Sequence, residues 1–465
     1  MWRRVLKVFQ WALGSLLVLA VLVIAINAFD EDLTPEAKAL LQAPPNPYKP
    51  EENLYLALIG FDAPEGESLV AAAQIRIPAY EHDMMDRLKA LRSDAGSTDD
   101  KMEKTVLGSV VNQRKTAKLD FHGTVSFCQP LTKSCVAGVE AHKVEIEGLV
   151  KANQELYRRY SALRGLKGYY ETRTSSFMPL AHPPSKVRTL YLANIALRAK
   201  TGTGAQQKAA MADLHDDIQT WRLMLVGDGE LSSKMIAIVS LQGDYALLAD
   251  LIADGNFPLN AFSSEIEAAL ALLAPDDWKI EKVYAGEYRE LAHQFERVAR
   301  ENRQWSDYFL GYFLKRDATL NLYAKLMAQL QKVADADPKE HFAMVNTLRD
   351  GMLENHVLGL LWLYNPGGKY VFYDPEILDS HSGFALRVHD AAAFQRLVRS
   401  GYEVTSRKIE SKDIPSFLQQ QAQGAVHPVD GRAFVWDEKK QELAMQPLAK
   451  QPSGRRFSIP VRAGL

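Results

Sequence analysis

Cysteine is scarce: two thiols in 465 residues are too few for a disulfide scaffold or a four-thiolate zinc site. An excess of one charge is lacking as well. Lys and Arg number 55 against 57 Asp and Glu, so no global field draws the chain to nucleic acid, and no nucleic-acid partner is expected. With 47% apolar and 24% charged residues, the chain is neither disordered, nor collagen-like, nor a multi-span membrane protein. The familiar catalytic signatures are missing too: there is no H-E-x-x-H, G-x-S-x-G, S-x-x-K or G-x-x-x-x-G-K-[ST]. Thr201-Gly202-Thr203-Gly204 lacks the Lys-Ser/Thr of a phosphate loop and reads as a connection between two helices. No repeat period stands out.

What the chain does have is one uncharged apolar run. Val8 to Phe29, VFQWALGSLLVLAVLVIAINAF, is 22 residues long. As a helix rising about 1.5 Å per residue it spans roughly 33 Å, enough for a hydrocarbon core of about 30 Å. Arg3, Arg4 and Lys7 precede it, and Asp30, Glu31 and Asp32 follow it. Basic residues gather on the side that stays inside. Residues 1–7 are therefore expected in the cytoplasm and everything after Asp30 outside it. Trp2 and Trp11 suit the inner membrane interface. The competing reading is a cleaved signal peptide, whose apolar core is about 7–15 residues with small residues before the cut. Here the run is longer, and the best site, after Ala28, has Ile26 three positions before the cut. An uncleaved signal anchor in the inner (plasma) membrane is preferred, with the body periplasmic if the source is a Gram-negative bacterium.

Cys128 and Cys135 enclose CQPLTKSC. Outside the cytoplasm, a local disulfide is the natural reading. Closing so short a loop stabilises by only about 2.5 kcal/mol on the chain-entropy estimate. The spacing is not the C-x-x-C of a thiol oxidoreductase.

The expected fold is mainly α: an N-terminal transmembrane helix, an irregular helical bundle or array, and a small α+β C-terminal element. By residue this gives a cytoplasmic N-terminus (1–7), a transmembrane signal-anchor helix (8–29), an acidic and Pro-rich linker (30–52), a mainly helical extracytoplasmic domain (53–364) and a mixed element (365–465). PPNPYKP at 44–50 favours an extended spacer. Residues 53–61 suit a strand or a short helix, 76–92 a helix, and 136–163 a charged helical stretch. In 205–226, Met211, Leu214, Ile218, Trp221 and Leu225 make one apolar stripe at helical spacing. Leu231 to Ala253 is apolar nearly all round and predicts an interior helix stopped at Asp254-Gly255-Asn256. Ser264 and Glu267 have capping-box spacing. Residues 365–376 read as a turn and a short strand, 389–399 and 414–422 as helices. RAFVW, DEKK and QELAM (432–445) read as a β-hairpin, and 457–461 as an edge strand, since Pro460 would interrupt a central one.

Three groupings bear on chemistry. Glu287, Glu290 and His293 lie on one helix face, and Glu290 with His293 is half of a di-iron carboxylate pattern. No second copy exists, so a solvated face is the plainer reading. Asp379, His381, His389 and Asp390, with Tyr373 and Asp374 upstream, match no ligand spacing, and Asp390 suits a helix start. Arg158, Arg159 and Arg164, with Lys167 and Arg173, are interleaved with Tyr157, Tyr160, Tyr169 and Tyr170. Arginines among aromatic rings make a candidate anion-binding set, although helix-end arginines also complement the dipole. No catalytic residue, metal ligand or cofactor is assigned. The sequence names no reaction; its leading expectation is a non-enzymatic envelope protein that binds the bilayer through 8–29 and a protein partner outside it. An envelope hydrolase or metalloenzyme, and a module binding lipid or an anionic polymer, are the alternatives.

Overall fold

The computed structural model describes residues 2–79, 118–172, 182–273, 281–301, 312–357, 363–372, 375–421, 424–449 and 457–464. The chain is mainly helical, 68% of it, with one small sheet near the C-terminus. It divides into two compact units. Unit 1 is Met1–Pro44 with Ile280–Ala385; unit 2 is Pro45–Lys279 with Leu386–Leu465.

The apolar run forms α1 (Trp2–Ile26), and the stretch Phe9–Ile26 has no buried residue. α2 (Pro35–Leu41) begins where Thr34 Oγ1 accepts the Ala37 N–H at 3.2 Å, with Pro35 preset for the first turn. Asn53 Oδ1 accepts the Tyr55 N–H at 3.1 Å and starts α3 (Leu54–Ile59), so the segment left open between strand and helix is helical. α4 (Leu69–Ala79) follows; most of the helix expected at 76–92 lies outside the described residues. The charged stretch at 136–163 is two helices, α5 (Lys143–Ala152) and α6 (Gln154–Ala162). Between them Asn153 turns its amide onto the backbone of His122, at 2.8 and 2.9 Å.

The core of unit 2 is built on α7 (His182–Thr201), α8 (Gly204–Val226) and α9 (Leu231–Ala253), joined by short connections and packed on one another. Thr203 and Gln206 form a reciprocal capping box at the start of α8. The expected stripe from Met211 to Leu225 is buried throughout, and α9 is buried on nearly every side from Ser233 to Ile252. α10 (Ser263–Ala269) corrects an expectation, because Ser264 and Glu267 make no capping box. A 3-10 turn, Leu259–Phe262, runs straight into the helix, and Ser264 Oγ donates to Glu265 at 2.7 Å instead.

The remaining helices are α11 (Glu281–Glu301), α12 (Arg316–Asp335), α13 (His341–Val357), α14 (Pro366–Phe372), α15 (Pro375–Ser406) and α16 (Ile414–Gln420). In unit 1, α12 is central and packs against α2, α11, α13 and α14. α14 replaces the turn and strand expected at 365–376. Asn365, at φ 49°, accepts the Gly368 N–H on its side chain at 3.2 Å and opens the helix. A Cβ on Gly368 would overlap Thr319 Oγ1 of α12, so the glycine is what lets α14 lie this close. α15 runs through Asp390, which is a mid-helix residue and not the helix start expected of it.

The strands are β1 (Val435–Asp437), β2 (Glu442–Ala444) and β3 (Ser458–Pro460), antiparallel in that order. Trp436 faces Leu443, and Leu443 faces Ile459. Leu443 and Ile459 are buried. The expected hairpin and edge strand are both present, with Pro460 on the edge strand.

Candidate functional site

Cys128 and Cys135 are joined in a disulfide, both buried. Within the loop, the Gln129 N–H donates to the Lys133 carbonyl at 3.3 Å, and Phe127 stacks on the His142 ring at 4.2 Å.

The three arginines are all paired with carboxylates, two of them with the same one. Arg158 and Arg159 both donate to Glu155, at 2.7 Å each, and Arg164 donates to Asp213 at 2.8 Å. The two arginines hold the Glu155 carboxyl down at about 2, the bond from Arg158 being the largest contribution. Arg159 is buried and ties α6 to the carbonyls of Phe61, Ala63 and Pro64. Arg159 is paired in the interior, while Arg158 and Arg164 keep their pairs at the exposed surface. Arg173 lies outside the described residues.

On α11, Glu290 is buried and accepts from Gln294 at 2.9 Å. Among the described residues no three His, Cys, Asp or Glu side chains group as a metal site. Asp379 is exposed and pairs with Arg349 at 2.6 Å, while His381 stacks with Tyr284. Tyr373 and Asp374 lie outside the described residues. Asp390 is fully buried, and its principal partner is a residue that sequence reasoning missed, His427. The Val429 N–H donates to His427 Nδ1 at 3.2 Å, which leaves Nε2 to carry the ring proton and donate to Asp390 Oδ1 at 2.9 Å. The N–H groups of Leu448 and Ala449 donate to the same carboxylate at 2.8 and 3.0 Å. One aspartate thus ties two C-terminal segments to α15.

A second buried cluster joins four helices of unit 2. Arg188 of α7 donates to Asp217 of α8 at 3.2 Å and to Asp244 of α9. Tyr160 of α6 donates to Asp217 at 2.7 Å, and Trp221 Nε1 donates to it at 3.3 Å. Two carboxylates against one guanidinium would leave a net buried negative charge. Burial, with Asp217 beside it, pushes the Asp244 carboxyl well up, and no donor reaches Asp244 Oδ2.

A third cluster sits where α8 turns into α9. Glu171 accepts from Tyr169 at 2.6 Å, from the Glu230 N–H at 3.1 Å and from Ser233. Burial pushes its carboxyl up against the pull of these donors. Lys234, also buried, donates to the Met224 carbonyl at 2.8 Å and to that of Gly227, closing the end of α8. The signal for these clusters was visible but unused: Asp244 sits in a helix apolar on all sides, and Asp217 adjoins the stripe of α8.

The last constellation lies at the end of α1, within unit 1. Asn27 is fully buried. Its amide donates to the Leu363 carbonyl at 2.6 Å and its Oδ1 accepts the Asn365 N–H at 2.9 Å. Asp30 accepts the N–H groups of Asp317 and Ala318 at 2.9 and 3.0 Å. It therefore caps α12, where the helix dipole favours a negative charge. Asn321 receives the Thr34 N–H at 2.9 Å and donates to Glu31 at 3.1 Å and to the Asp32 carbonyl at 3.0 Å. Tyr312 donates to the Ile24 carbonyl inside the apolar run. The acidic stretch after α1 is docked on α12.

No protein-family model, curated protein or solved structure matches the chain.

Proposed function

We propose that this chain is a single-pass signal-anchored protein of the cell envelope, with its N-terminus in the cytoplasm, that uses its helical extracytoplasmic body to bind a protein partner near the membrane. The observation that carries the anchor reading is the bonding at the end of α1. A leader removed after Ala28 would take Asn27 with it, leaving the Asn365 N–H and Leu363 carbonyl without the partners they now have. Buried backbone groups stripped in this way cost about 1–3 kcal/mol each. The length of the apolar stretch and its lack of any buried residue support the same reading, since an apolar surface of this size needs lipid or protein to cover it.

The body supports an interaction role over a catalytic one. Several buried ionisable groups among the described residues are bonded to neighbouring side chains: Asp390 to His427, Arg188 to Asp217 and Asp244, Glu171 to Ser233 and Tyr169. The test is cross-linking in intact cells, purification in mild detergent, and mass spectrometry of both the intact chain and its adducts. The expected result is an uncut N-terminus, recovery from the membrane fraction and a reproducible adduct on the helical body. A chain beginning at Phe29, recovered in the soluble fraction, overturns the anchor; an uncut chain without a protein adduct overturns the partner.

A further inference from the structure

We propose that the face of unit 1 surrounding the end of α1 rests in the lipid headgroup layer, so that the body is seated on the bilayer as well as tethered to it. This rests on the anchor reading above. The argument is one of depth. If α1 spans the hydrocarbon, the boundary falls between Ile26, where the helix ends, and Phe29, where the apolar run ends. At about 1.5 Å per residue, the Ile24 carbonyl then lies roughly 3 to 7.5 Å inside that boundary. Tyr312 reaches this carbonyl with its hydroxyl, and the Leu363 carbonyl is held on Asn27 at 2.6 Å. Residues 312 and 363 belong to the body of unit 1, and these bonds fix them at the level of the lipid boundary.

The side chains neighbouring residues 312 and 363 in sequence suit it. Tyrosine prefers the interface, where its ring meets acyl chains and its hydroxyl meets polar groups. Tyr312 packs edge to face on Phe313 at 5.3 Å, and Lys315 Nζ lies 4.7 Å over the Tyr312 ring. Lys369 lies 5.9 Å over Tyr364, the residue after Leu363. Tyr370, next along α14, is 76% exposed, and Phe29 is 79% exposed. Exposed aromatics beside lysines that can extend to phosphates make an interfacial anchor. Of the nearby acids, Asp30 and Glu31 bond to α12 and Asn321, and both, like Asp32, keep exposed surface.

The full-length protein, reconstituted in nanodiscs of phosphatidylethanolamine and phosphatidylglycerol, tests this. Single nitroxide labels go on Tyr370→Cys and Phe29→Cys, with Leu17→Cys in α1 and Val144→Cys in unit 2 as references. The native cysteines are paired in a disulfide and do not take the label. Accessibility to oxygen is compared with accessibility to a water-soluble nickel chelate. Position 17 is expected to read as lipid and position 144, at 83% exposure, as water. Positions 370 and 29 are expected to favour oxygen over the chelate several-fold more than position 144 does. If position 17 reads as lipid while 370 reads like 144, the seating is overturned and the anchor stands. If position 17 itself reads as water, the anchor fails and the seating with it. Tyr370 is so exposed that its replacement leaves the packing of unit 1 intact.

Discussion

Single carboxylates do much of the joining in this protein, and their protonation has measurable consequences. Asp244 keeps its proton to higher pH in the folded chain than the ordinary 3.8 because it is buried. Between these two values the folded state binds more protons than the unfolded state. Its stabilisation is full below 3.8 and declines as pH rises towards the folded value. Asp244→Asn, which resembles the protonated acid, is expected to flatten that decline. Melting temperatures of the detergent-solubilised chain and its variant, compared between about pH 4 and pH 8, check this; parallel curves would contradict it. Asp390→Ala leaves a buried imidazole N–H and two backbone N–H groups without their acceptor. A loss of about 3 kcal/mol is expected, with faster hydrogen exchange at the Leu448 and Ala449 amides as the local signature. The role of Asp390 was not legible in advance. Asp390 and His427 are 37 positions apart, and a helix start was a sufficient account of an aspartate after a histidine. Asp244 did carry a legible mark, a carboxylate in a helix with no solvent side, which cannot be there unpaired.

At the scale of elements, legibility followed locality. The stripe of α8 and the all-round apolarity of α9 are written within one segment, and both helices formed where expected. The hairpin of β1 and β2 is likewise announced by its own polar turn. α14 failed that test because two adjacent glycines after Asn-Pro are a turn signal in any local reading. What makes the segment helical is α12, whose Thr319 takes the space a Cβ would fill and shares the Asn365 side chain at 3.0 Å. Gly368→Ala is therefore expected to destabilise unit 1 by about 2 kcal/mol through overpacking, although alanine is the better helix former. Thermal melting of the full chain gives the sign: a gain in stability would show that helix propensity outweighs the close approach. Ser264 shows the converse, a correct local pattern overridden by the turn that precedes it.

At the scale of the whole molecule, the two units are interleaved along the chain, and the boundary expected between 364 and 365 falls inside unit 1. No local feature announces such an arrangement, because it depends on which distant segments pack. The apolar N-terminal helix was legible from its length and lack of charge. Its docking was not, since Asn27, Asp30 and Asn321 are common polar residues at unremarkable spacings. Asn27→Ala is expected to weaken the join by about 1–3 kcal/mol, seen as faster exchange of the Asn365 amide in the reconstituted chain. Unchanged exchange there would mean that Asn27 contributes little to holding the join.

The same join governs how the protein responds to force. Had the acidic stretch been slack, a pull on α12 would first take up its length before reaching α1. With Asn27 fastened to 363 and 365 and Asp30 fastened to the first turn of α12, tension on unit 1 meets several hydrogen bonds at once and passes directly into α1. Twisting the rest of unit 1 about the axis of α1 likewise turns that helix, so α1 behaves as a stiff axle for the helices docked on its end.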